Sequence, residues 1–96
     1  MTKAEIVSNI CDELGMDKLD VQTTVEKFML EIKSSLEKGN NVYLRGFGSF
    51  IIKKRAEKIG RNISKNTAVR IPPHNVPSFK PCKTFVKSVK SKVPIQ

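Results

Sequence analysis

Apolar positions along the chain change period twice, and the changes mark the elements. Ile6, Val7, Ile10, Cys11 and Leu14 recur at helical spacing, which predicts a first helix. TKAE at its start reads as a capping box, with the Thr2 hydroxyl and the Glu5 carboxylate serving each other's backbone donors. Gly15 supplies the stop. Asp17 is the next N-cap, and Asp20 falls in a first turn, where the helix dipole favours negative charge. Val21, Val25, Phe28, Met29, Ile32 and Leu36 form a second, longer stripe that ends at Lys38 and Gly39. Residues 1–39 are thus predicted as a helical hairpin, and part of its apolar stripe is expected to be shared with a second subunit.

From residue 42 the period becomes two. Val42 and Leu44 lie on one face, the GFG stretch breaks the chain, and Phe50 and Ile52 resume it. Arg45 and Gly46 sit at that turn, where glycines at 46 and 48 admit a bend. Phe47, Phe50 and Phe79 are spaced as core aromatics, and Val76–Lys80 returns the chain to the sheet. Pro81 opens a last helix, with Phe85, Val86 and Val89 on one side and Lys83, Lys87 and Lys90 on the other. Residues 91–96 read as an irregular tail. Between the strands, residues 53–74 predict a β-ribbon arm whose turn chemistry comes from Gly60, Asn62 and Asn66. An isolated two-stranded ribbon is marginal in water, so the arm is expected to be mobile until something anionic orders it. Pro72 and Pro73 donate to no ladder and should end the pairing. The fold class is α+β, one domain over 1–96: a helical hairpin, a three-stranded antiparallel sheet, a protruding β-ribbon arm and a short C-terminal helix.

Charge changes this picture from a fold to a function. The net charge is +9 over 96 residues, but residues 1–40 hold five lysines against eight acids. Lys53 to Pro73 carries seven basic residues against one acid, and residues 80–96 add five lysines with none. A split of this size points to a polyanion, with nucleic acid ahead of an anionic membrane. No stretch approaches the roughly 18 uninterrupted apolar residues of a membrane span. Acids at 5, 12 and 13 also break a signal-peptide reading, so a cytoplasmic protein is expected. The size argues for an obligate dimer, because a core of roughly 75 residues without the arm is marginal alone.

Catalytic chemistry is missing. There is no Ser/His/Asp or Cys/His arrangement, no phosphate-cradling GxxxxGKS loop and no HExxH. No enzyme activity, cofactor, metal site or small-molecule substrate is expected. Cys11 and Cys82 are far apart with no CxxC, and read as structural or surface thiols. Cys82 has an alternative reading as a reactive thiol, since a helix start beside Lys83 would depress its pKa. His74, the sole histidine, reads as exposed and unspecialised.

GFGSF, then RAEKIGRN, then NVPSFKP, in this order and spacing, resembles the HU and integration host factor family of bacterial DNA-architectural proteins. The resemblance extends to about Lys90. Members of that family are themselves recognised minor-groove benders, and their mechanism reaches this chain only as an implication of the resemblance. It implies an intertwined dimer, a homodimer in the first reading, that embraces double-stranded DNA with two ribbon arms, associates with the nucleoid and bends or compacts the duplex with little sequence specificity. Lys53, Arg55, Lys58, Arg61 and Arg70 would neutralise phosphates and enter the groove, where arginine suits a narrow negative channel. Lys80, Lys83, Lys87 and Lys3 would hold flanking DNA, with Gly46 at the turn and the open amides of the last helix assisting. Asn62 would meet base edges, whose minor-groove pattern distinguishes little beyond A·T from G·C.

Ile63 stands where the family carries a wedge proline, and its apolar, β-branched side chain is a candidate intercalating wedge without the preset φ. Asn66 stands where the family usually has glycine. Cys82 replaces a typical glycine before the last helix, which leaves open how closely the backbone there approaches phosphate. Two alternatives remain: a site-selective subunit of a heterodimer in the manner of integration host factor, and a basic dimeric module that binds RNA or an acidic protein.

Overall fold

The computed structural model describes residues 1–62 and 67–95. The elements run α1 (Lys3–Leu14), α2 (Lys18–Glu37), β1 (Val42–Leu44), β2 (Gly48–Arg55), β3 (Lys58–Asn62), β4 (Thr67–Ile71), β5 (His74–Pro81) and α3 (Lys83–Lys92). Helices and antiparallel strands in this order give the expected α+β class. No helix among the described residues is long and apolar enough to cross a membrane.

Local chemistry explains the helix ends, with two departures from expectation. The Glu5 amide donates to Thr2 Oγ1 at 3.3 Å, but the Glu5 carboxylate takes the Thr2 hydroxyl rather than a backbone N–H. Gly15 closes α1 at φ 66°, its amide donating to the Cys11 carbonyl at 2.8 Å. Such a left-handed cap suits glycine. Asp17 occupies the N-cap of α2 in extended conformation, yet its side chain makes no capping hydrogen bond. Its carboxylate therefore acts on that helix end through the dipole alone. A link from Lys3 Nζ to Glu26 Oε1 at 2.8 Å ties α1 to α2.

One sheet has the order β1-β2-β5, with all neighbours antiparallel. Val42, Phe50 and Phe79 stand in one row across it, and Tyr43, Ser49 and Lys80 in the next. Successive rows face opposite sides of a pleated sheet. On the first side, Phe47 and Phe50 each lie 4.9 Å from Phe79 between ring centres, and Phe85 of α3 stacks 5.7 Å from Phe47. The three phenylalanines read as core aromatics do form one cluster. Beyond the end of β1, the Ile52 amide finds the Asn41 side-chain oxygen at 3.0 Å, which satisfies a donor the short strand leaves over.

The ribbon departs from a simple strand continuation. β2 and β5 stay paired as far as Arg55 and His74, and pairing resumes only at Lys58 with Ile71. Ala56 and Glu57 on one strand and Pro72 and Pro73 on the other carry no ladder, so β3 and β4 form a second sheet. The pyrrolidine rings explain the stop on the returning strand, as expected. The structure also lengthens two elements relative to expectation. β5 starts at His74, because Asn75 and Val76 pair with Lys54 and Lys53. Helix α3 runs through Lys92, leaving Val93–Ile95 without regular structure ahead of and around Pro94.

The chain extends 57 × 35 × 29 Å with a radius of gyration of 18.9 Å, against about 13 Å for a compact domain of this length. Among the described residues only two apolar side chains, Val7 and Val21, are fully sheltered. Phe28, Leu30, Phe85 and Val89 are between 37% and 54% exposed. An apolar surface of this kind is characteristic of a protomer whose core closes against a partner.

Candidate nucleic-acid interface

The alternation of side chains sorts the predicted basic residues by face. Lys80 shares a row with Tyr43 and Ser49, and the same parity along β2 places Lys53 and Arg55 on that side, opposite the phenylalanine cluster. All three cations are exposed. His74, in register with Arg55, lies on this face at the base of the arm. Its Nδ1 sits 3.0 Å from the Pro72 carbonyl.

At the other end of the same face the β1–β2 turn meets the start of α3. Gly46 takes φ 84°, a left-handed conformation that a side chain would strain. The Phe47 amide donates to the Leu44 carbonyl at 3.0 Å, and the Cys82 amide donates to the Phe47 carbonyl at 2.9 Å. These bonds bring Gly46 and Arg45 beside Lys80 and Lys83, which line a shallow depression of about 420 Å³ with Tyr43. No acid lines it. Lys83 opens α3, where amides without helical partners add to the positive field. Lys87 follows one turn later and is exposed.

Cys82 is the N-cap of α3 with φ −72° and ψ 161°. Any residue adopts that conformation, so cysteine in place of glycine costs nothing in backbone strain. Its thiol pKa is lowered, first by a hydrogen bond with the Thr84 hydroxyl at 3.3 Å and then by the Phe85 amide. The depressed pKa considered from sequence is present, but its main cause is Thr84 and not Lys83. Glu26 is likewise held below the usual carboxylate range, chiefly by its hydrogen bond from Lys3.

Lys58 and Arg70 belong to the distal sheet, in β3 and β4. The Arg70 guanidinium donates from Nε to the Glu57 carboxylate. The backbones of Arg61 and Asn62 pair with Ala68 and Thr67 at the far end of the ladder. Ile63 lies outside the described residues. Lys3 stands on α1 and is engaged with Glu26. Of the predicted set, the structure thus groups Gly46, Lys80 and Lys83 at one end and Lys53 and Arg55 on the same face toward the arm. Tyr43, Arg45, Ser49 and His74 share that surface and were absent from the sequence-predicted set. Two-residue alternation would have found Tyr43, Ser49 and His74 once the β1–β2 and β2–β5 registers were known, whereas Arg45 sits in the turn beyond β1.

Comparison with known proteins agrees with this geometry. A family model described as "Bacterial DNA-binding protein" matches residues 1–90. The chain is 41% identical over 81 residues to integration host factor subunit alpha of Vibrio campbellii, covering 84% of this chain and 83% of that protein. It is 33% identical over 96 residues to the subunit of the same name from Pseudoalteromonas atlantica, covering 100% of this chain and 98% of that one. Among solved structures, an Anabaena HU–DNA cocrystal structure superimposes with a TM-score of 0.89 at 30% identity, over 94% of this chain and 98% of that one. An HU variant from Thermotoga maritima gives 0.71 at 29% identity, over 94% and 100%. The chain belongs to the bacterial DNA-binding protein family that includes HU and integration host factor.

Proposed function

We propose that this protein is a dimeric architectural binder of double-stranded DNA that engages the minor groove with its arms and bends the duplex. The observation that carries the reading is the sheet face that bears Lys83 and Lys80 at one end and Lys53 and Arg55 toward the other, continued by an arm with a further run of cations. A DNA backbone presents one negative charge per about 1.7 Å of helix axis, so an extended row of cations matches it better than a compact cluster. Lys80, Lys83, Lys87 and Lys3 hold flanking phosphates, with the Gly46 turn approaching them by its backbone. Lys53, Arg55, Lys58, Arg61 and Arg70 follow the groove, Asn62 meets base edges, and Ile63 wedges between base pairs. Binding rather than catalysis is the activity, and association with the nucleoid follows from it.

The relatives named as alpha subunits favour a second reading, in which the partner is a different chain. The mass of the purified protein in solution decides between the two. For DNA binding itself, the test is a gel-shift titration of duplex DNA across salt. If six to ten phosphates are neutralised, affinity falls about 10³- to 10⁵-fold between 50 and 200 mM salt. A flat salt response, or equal affinity for RNA, overturns the proposal.

A further inference from the structure

The arm is built in two pieces, and one acid stands at the joint. Ala56 and Glu57 face Pro72 and Pro73 across a gap in the ladder. The two prolines have no N–H to give, so hydrogen bonds from those positions are denied to the joint in any conformation. Within the gap the Pro72 carbonyl is close to His74 Nδ1 of its own strand. Glu57, by contrast, reaches across the joint and accepts from Arg70 Nε of β4. Arg70 is opposite Ile59, so Glu57 and Arg70 are diagonal cross-strand neighbours, within reach of long side chains.

Glu57 is the only acid between Lys38 and the C-terminus. It lies in the most cationic part of the chain, on a surface that must approach a polyanion. A carboxylate there opposes phosphate twice: it repels the DNA backbone, and it occupies the guanidinium that would otherwise accept a phosphate in bidentate fashion. Arg70 is 79% exposed and Glu57 40%, so water screens the pair and its strength is that of a surface ion pair. A contact of that strength is displaceable by a phosphate.

We infer that Glu57 is a positioning residue that holds Arg70 back from DNA, and that a phosphate must displace its carboxylate before Arg70 joins the contact set. This rests on the DNA-binding reading above. Arg70 then contributes little to a first encounter and more once the duplex runs along the arm past the joint. The single acid lowers overall affinity and makes it depend on how far the DNA follows the arm.

A double-mutant cycle on the full chain tests this, with Glu57→Gln, Arg70→Gln and the double variant titrated against duplex DNA at several salt concentrations. Glu57→Gln should bind about two- to five-fold more tightly, the range expected for release of a surface ion pair. Its slope of log affinity against log salt should steepen by up to about 0.9, the value for one further phosphate neutralised. Arg70→Gln should cost more in the Glu57→Gln background than in the wild type. If Glu57→Gln weakens binding, or if Arg70→Gln costs the same in both backgrounds, Glu57 is a brace or a bystander and the inference fails. Failure of the wild-type chain to bind duplex DNA at all would instead overturn the DNA-binding reading. Solution mass and melting temperature, recorded for each variant, separate these results from loss of fold.

Discussion

Two glycines in the GFG stretch show how one residue type serves two physical needs. Gly46 is required for its backbone, with φ at 84° and open space around the position of an absent Cβ. Gly48 is required for its lack of a side chain. A Cβ there would sit 2.5 Å from the Lys80 carbonyl and 2.7 Å from the Phe79 ring, well inside contact distance. The carbonyl belongs to the β5 ladder and cannot retreat without breaking it. Gly48→Ala should therefore cost about 1–3 kcal/mol of stability, as overpacking does, which denaturant melts would measure. The sequence pattern marks both as bend glycines but does not separate the two roles, since the close approach of Phe79 comes from a strand 31 residues away. The same limit applies to Arg70. Composition counts it as a free cation, and only the diagonal across β3 and β4 shows its carboxylate partner.

Among the elements, both helices of the hairpin, the three-stranded sheet and the last helix were legible, because each carries a period, a cap or a breaker in its own residues. The joint of the arm was legible on one strand only. Pro72 and Pro73 announce a stop, whereas Ala56 and Glu57 are ordinary residues that lose their ladder because the prolines opposite them offer no donors. The consequence is a distal ribbon of five residue pairs, Lys58–Asn62 against Thr67–Ile71, short enough that its own ladder is marginal in water. Ile63 is the proposed wedge. Ile63→Ala keeps the cations of the ribbon and removes the apolar side chain. Affinity should then change little, while the bend angle measured by FRET between duplex ends falls clearly. Ile63→Pro should restore the angle, because proline supplies an apolar surface with φ already set. An unchanged angle in Ile63→Ala would exclude the wedge.

At the scale of the whole molecule, charge and burial divide the protein the same way. The acidic hairpin and the phenylalanine cluster expose apolar surface suited to a partner subunit, and the face of Lys53, Arg55 and Lys80 exposes cations suited to DNA. With two fully sheltered apolar side chains in the described protomer, folding and dimerisation should be one event rather than two. Mass action then makes the melting temperature a function of protein concentration, because dilution favours the separated chains. Each tenfold rise in concentration shifts the equilibrium by about 1.4 kcal/mol. For two chains unfolding together that raises the melting temperature by about 3–5 °C. Phe85→Ala should lower the whole curve, since Phe85 stacks on Phe47 in the aromatic cluster and its remaining 37% exposed surface is apolar area suited to a partner. A melting temperature independent of concentration over two decades would mean that the protomer is stable alone. The exposed faces of Phe28, Leu30 and Val89 would then need an occupant other than a second subunit.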